Sequence, residues 1–135
     1  MNIFLELSST KNNNLVFKFK FINTDLNSKI IPISEFESSV DRNGLKIVKD
    51  GKRIEPAGYM MISLTNPRGG DIVLNPGDEY EISIEGTIEN TKQLGDTLNF
   101  KHATYLLDAG TIYQISLSWR EFLSNVVKWS FDPLL

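Results

Sequence analysis

One histidine, seventeen carboxylates and no cysteine bound the chemistry open to this chain. Nucleophilic catalysis needs a base within reach of the nucleophile. His102 would have to be that base, and no Gly-x-Ser-x-Gly elbow accompanies it. It lies beside a strand start and reads as a surface or rim residue. A zinc site of the usual kind needs more than one histidine when thiolates are missing. Glu79, Glu81 and Glu85 share one strand face, with Asp71 and Asp78 on the neighbouring loops. Calcium uses such oxygens, but no Asp-x-Asp-x-Asp-Gly loop is present, so a solvated acidic face is expected. Arg68-Gly69-Gly70-Asp71 matches neither a P-loop nor a dinucleotide loop. No catalytic residue, metal or cofactor is therefore expected, and the chain does not read as an enzyme.

The aromatics offer a different chemistry. Tyr113, Trp119 and Trp129 could form a stacking platform for a sugar ring. They alternate, however, on the same side as Ile115, Leu117, Val127 and Phe131, which places them in a core.

The elements that would position these groups are strands. Ala103 to Arg120 organises the reading: Tyr105 and Leu107 approach a tight turn at Asp108-Ala109-Gly110. A long alternating strand then carries Tyr113, Ile115, Leu117 and Trp119 on one face. Ile3, Leu5 and Leu7 suggest a short first strand. Leu15, Phe17, Phe19 and Phe21 alternate with Val16, Lys18 and Lys20 in a second. Ile30 to Ile33 is edge-like, because Pro32 cannot donate to a ladder. Phe36 to Asp41 and Leu45 to Lys49 are further strand candidates. Asp50-Gly51 marks a hairpin leading to Ile54. Tyr59 to Leu64 reads as a buried strand and Thr65 to Asp71 as a surface loop. Ile72 to Leu74 closes in an Asn75-Pro76-Gly77-Asp78 turn, and Tyr80, Ile82 and Ile84 alternate with acidic residues. Residues 86–99 read as a long loop, and Asn125 to Phe131 as the final strand. Short helices are conceivable only near Ile88 to Leu94 and Trp119 to Leu123.

This pattern predicts an all-β fold, an antiparallel immunoglobulin-like β-sandwich of about seven to nine strands forming a single domain over 1–135. Tyr105, just before the second-last strand, is placed to donate its hydroxyl to nearby backbone as a tyrosine corner. Tyr105, Gly110, Tyr113 and Trp119 are the expected fold-setting residues. The hydrophobic share of 41% and charged share of 23% are those of ordinary globular chains. A net charge of −3 argues against nucleic acid or an anionic membrane as partner. No run of about 18 apolar residues exists to span a bilayer. The absence of cysteine and of a basic, cleavable leader points to the cytoplasm.

Three pieces recur together: Lys49-Asp50-Gly51-Lys52-Arg53-Ile54-Glu55-Pro56-Ala57-Gly58, then Asp71-Ile72-Val73-Leu74-Asn75-Pro76-Gly77-Asp78, then Tyr105-Leu106-Leu107-Asp108-Ala109-Gly110-Thr111-Ile112-Tyr113. A late Ser124-Asn125-Val126-Val127 follows. Together they resemble the immunoglobulin-like domain that precedes the catalytic domain of deuterolysin-type (aspzincin) metallopeptidases. More distantly they resemble the small intracellular proteinase inhibitors of bacilli. The resemblance covers about residues 40 to 131, and no His-Glu-x-x-His follows, so no catalytic residue carries over. It implies a stand-alone, non-catalytic sandwich that engages another protein, a peptidase or secreted effector, which it inhibits, neutralises or escorts.

Within that reading the loop Thr65 to Asp71 is the expected contact, through Asn66, Pro67, Arg68 and Asp71. Pro67 stiffens it, Arg68 offers a fork of donors, and Gly69-Gly70 allows close backbone approach. Thr87 to Asn99 is a second expected contact. An assembly adaptor that self-associates through a free edge strand remains the alternative, and a carbohydrate-binding module a third.

Overall fold

The period-two run of β2 (Asn14–Ile22) sets the first sheet. Leu15, Phe17, Phe19 and Phe21 point inward and are buried, while Lys18 and Lys20 point out. The computed structural model describes residues 1–10, 13–59 and 70–131. In it, β2 lies between β1 (Asn2–Ser9) and β8 (Glu79–Thr91), antiparallel to both. The acidic outer face of β8 is matched by the lysines: Lys18 Nζ sits 3.6 Å from Glu81 and Lys20 Nζ 3.3 Å from Glu79. The sheet continues through β9 (Gly95–Asn99) and β10 (Ala103–Leu107) to a two-residue β6 (Gly58–Tyr59), in the order β1-β2-β8-β9-β10-β6.

The second sheet is built on β11 (Tyr113–Trp119). On one edge it pairs with β4 (Leu45–Lys49), which pairs in turn with β5 (Lys52–Arg53). On its other edge β12 (Phe122–Leu123) and β13 (Val127–Trp129) follow one another. Between β4 and β5 both turn residues take positive φ, Asp50 at 51° and Gly51 at 78°, as the twist of a two-residue hairpin requires. A third, two-stranded ribbon joins β3 (Lys29–Pro32) to β7 (Asp71–Leu74). Its exit turn bonds Asp78 N–H to Asn75 O at 2.9 Å with Gly77 at φ 88°.

The inward faces of both large sheets contribute to one buried cluster, so the fold is an all-β antiparallel sandwich. Among the described residues nine strands run four residues or longer, and four shorter ones (β5, β6, β12 and β13) supplement them. No helix among these residues is long and apolar enough to cross a membrane.

Several expectations need correcting. Phe36 to Asp41 is not a strand: Ile33–Ser39 forms a helix, α1, continued by a π-turn at Val40–Gly44. Ile33, Phe36 and Val40 recur at helical spacing and are all buried. Phe36 enters the sandwich edge-on to Phe19, Phe21 and Trp119, at ring-centre distances of 5.4, 5.6 and 5.2 Å. Residues 86–99 are not a long loop. β8 runs on to Thr91, and a short turn ending at Gly95 (φ 74°) returns the chain as β9. The inward alternation is hidden in the sequence because Gly86 occupies an inward position. A Cβ there would lie 2.8 Å from Leu98 Cδ1 and 3.1 Å from Phe100 Cε1.

The two possible short helices are likewise absent: Ile88 to Thr91 is strand, and Arg120-Glu121 is a two-residue turn between β11 and β12. The last strand is three residues, not seven. It is shortened because Ser124 and Asn125 are used to join the sheets. Ser124 N–H donates to Leu117 O (3.1 Å), and Leu117 N–H donates to Ser124 Oγ (2.7 Å). Asn125 then reaches the outer edge of β1: its Oδ1 accepts from Leu5 N–H (2.7 Å), and its Nδ2 donates to Leu5 O (3.2 Å). With the parallel bridge between Ile3 and Ser124, this side-chain amide covers the outer edge of β1.

Candidate functional site

Of the four residues expected to contact a partner, Asn66, Pro67 and Arg68 lie outside the described residues. Asp71 is exposed, and it sits in strand β7 rather than in a loop, opposite Pro32. The period-two alternation of β3 and β7 divides the ribbon. Ile31 and Leu74 turn into the core, while Ile30 and Val73, direct cross-strand partners, face outward at 59% and 56% exposure. Leu26, on the segment leading into β3, is almost wholly exposed.

A buried amide fixes this ribbon to the sandwich. Asn23 Nδ2 donates to Leu74 O (2.8 Å) and Asn27 O (2.9 Å), and its Oδ1 accepts from Asp25 N–H (3.0 Å). Its backbone carbonyl accepts from Gly77 N–H at 2.8 Å. Asn23 thus exchanges full desolvation for a complete set of bonds, which orders the base of an otherwise exposed element. In the sequence Asn23 is simply the polar residue that follows the alternating run of β2. Only its tertiary partners distinguish it from an ordinary turn asparagine.

A polar cleft of about 440 Å³ opens elsewhere, between the helical segment and the end of β11. Glu35, Ser38 and Ser39 come from α1, Asn43 from the π-turn, and Ser118, Trp119 and Arg120 from the strand end. The Trp119 indole N–H donates to Ser39 Oγ (3.0 Å), and Ser39 Oγ donates to Glu35 O (2.6 Å). The Arg120 guanidinium lies 4.6 Å above the Trp119 ring and is ion-paired with Glu35. Arg120 adopts φ 55° in a two-residue turn where glycine or asparagine would be unstrained.

The expected tyrosine corner is divided between two residues. Tyr105 is buried, but its hydroxyl donates to Asp41 O at 2.8 Å, 64 residues upstream and not to nearby backbone. The local bond belongs to Tyr113, whose hydroxyl accepts from Asp108 N–H at 2.7 Å across the turn containing Gly110 (φ 80°). The reason is the π-turn, which carries Asp41 beneath β10 and takes up the Tyr105 hydroxyl.

Asp41 is itself buried, at 3% exposure, with Oδ2 accepting from His102 N–H (2.8 Å) and lying 3.1 Å from His102 Nδ1. Burial pushes its carboxyl above the ordinary carboxylate range, against the His102 contacts that favour the charged form. His102 is therefore a half-buried partner of a buried acid. That pairing was invisible in a sequence where the two lie 61 positions apart. Beside Gly110, Asp108 ion-pairs with Lys49 and raises the lysine's pKa.

Trp119 and Tyr113 belong to the core. Trp129 is half-buried, 6.1 Å from Tyr113 and stacked on Phe131 at 5.4 Å. The segment Thr87 to Asn99 presents an exposed Leu94 at the tip of its hairpin, beside an Asn90–Asp96 hydrogen bond of 2.8 Å. Among the described residues, no three His, Asp or Glu side chains gather as a metal-binding group. Comparison with known proteins returns no matching family model and no matching curated protein.

Proposed function

We propose that this chain is a non-catalytic sandwich that binds another protein, with the β3–β7 ribbon and the residues preceding β7 as the contact surface. The observation that carries this reading is the outward pair Ile30–Val73, more than half exposed on a ribbon that the Asn23 amide holds in place. Paired apolar side chains on an ordered ribbon lose no further backbone entropy on docking, and their dehydration favours association. Asp71, two residues before Val73 and on the same face of β7, supplies a charged rim. Gly70 and Asp71 connect the ribbon directly to Asn66, Pro67 and Arg68, the residues the sequence selects for contact. The resemblance to peptidase-associated sandwiches suggests a peptidase or secreted effector as the partner, which the chain would inhibit, neutralise or escort.

The test is site-specific photo-cross-linking in the source cell. A photoreactive residue at Val73 should capture one discrete protein species, and the same residue at Ser83, on the outer face of β8, should not. Ile30→Lys should abolish the Val73 product, and Arg68→Ala with Asn66→Ala should weaken it without lowering the melting temperature. Equal capture from Val73 and Ser83 would remove the ribbon as the contact surface.

A further inference from the structure

The cleft between α1 and the β11–β12 turn is independent of the ribbon and has its own chemistry. Its walls carry one full positive and one full negative charge, Arg120 and Glu35, each with about half of its side chain exposed. The Asn43 amide and the Ser118 hydroxyl also line it, and neither side chain has a hydrogen bond among the described residues. Arg120 is held there at φ 55°, a backbone conformation that glycine would adopt without strain. A side chain kept where its backbone is disfavoured points to use of the guanidinium itself.

The charge arrangement selects among ligands. An anion could take Arg120 only by leaving Glu35 unpaired beside it, and a cation would strand Arg120 in the same way. A neutral polyol would leave the ion pair intact and gain only the free amide and hydroxyl. A ligand carrying both charges engages Arg120 and Glu35 together, so each keeps a counter-charge when their mutual pair opens. The Trp119 ring keeps the guanidinium in position when Glu35 moves away.

We propose that this cleft binds a small zwitterion of the α-amino acid type. Arg120 takes the carboxylate and Glu35 the ammonium group, while Ser118 and Asn43 meet the remaining polar atoms. Trp119 reports occupancy, because its indole N–H is bonded to Ser39 and its ring is covered by Arg120.

The test is titration of the full chain in the Trp129→Phe background, where Trp119 is the only tryptophan, followed by its fluorescence. The Trp119 indole ¹H–¹⁵N resonance of the wild-type chain gives a second readout if that variant does not fold. L-serine should produce a saturable change, while acetate, ethanolamine and glucose at the same concentrations should produce none. Arg120→Gly relieves the backbone strain, so it should keep or raise the melting temperature while weakening L-serine at least about tenfold. Glu35→Gln should weaken it similarly. Saturation by acetate, ethanolamine or glucose alone would overturn the assignment. So would no response to any of the four, or L-serine binding unchanged in both variants.

Discussion

Asp41 shows how a single buried group shapes this protein's response to pH. Its folded-state pKa is raised by burial, so the folded protein holds that proton more tightly than the unfolded chain does. Between the unfolded value and the raised one, stability therefore falls as pH rises, and above both values the penalty is constant. Asp41→Asn removes the charge and keeps an acceptor for His102 N–H. It is expected to melt no lower than wild type at pH 7, with the difference shrinking as pH approaches 4. A variant less stable at pH 7 would mean that the His102 contact outweighs desolvation. Tyr105 acts through the same turn: Tyr105→Phe should lower stability by about 1 kcal/mol through the lost bond to Asp41 O. An unchanged denaturation midpoint would contradict that role.

At the level of elements, α1 and the Ser124-Asn125 connection matter most. Phe36 fills the space between Phe19, Phe21 and Trp119 from one helical turn, so Phe36→Ala should destabilise by about 3–5 kcal/mol in chemical denaturation. Asn125→Ala leaves the Leu5 N–H and carbonyl unpaired on the edge of β1, at about 1–3 kcal/mol. The opened edge should also promote dimers by strand pairing, which light scattering would detect. A monomer of unchanged midpoint would show that Asn125 is not needed to close the edge.

Strands with an uninterrupted period of two were legible in the sequence, as β2, β4 and β11 show. The helix was missed because Ile33, Phe36 and Val40 span barely two turns, too few for a 3.6-residue period to stand out against alternation. The β8–β9 hairpin is hidden because Gly86 stands where the alternating pattern calls for an apolar side chain, and in β9 Leu98 alone supplies one. The pairing of His102 with Asp41 and the assembly of the cleft depend on contacts between residues 61 to 85 positions apart, which no local spacing encodes. The outward position of Ile30 and Val73 could have been read from the alternation, given which of their neighbours face the core.

For the whole molecule, the two large sheets bury their apolar faces against one another, and the acidic outer face of β8 is balanced by the lysines of β2. Among the described residues the outward pair Ile30–Val73 stays more than half exposed, and β7 directly continues in sequence the segment 65–71 marked as a contact. The most direct test of this account is the affinity of the double variant Ile30→Glu, Val73→Glu for the protein captured through position 73. With both side chains outward, the melting temperature should stay within about 2 °C of wild type. Binding should weaken by at least about a hundredfold, as expected when the apolar centre of an interface becomes charged. Undiminished binding by the folded double variant would contradict the account and place the contact elsewhere on the molecule.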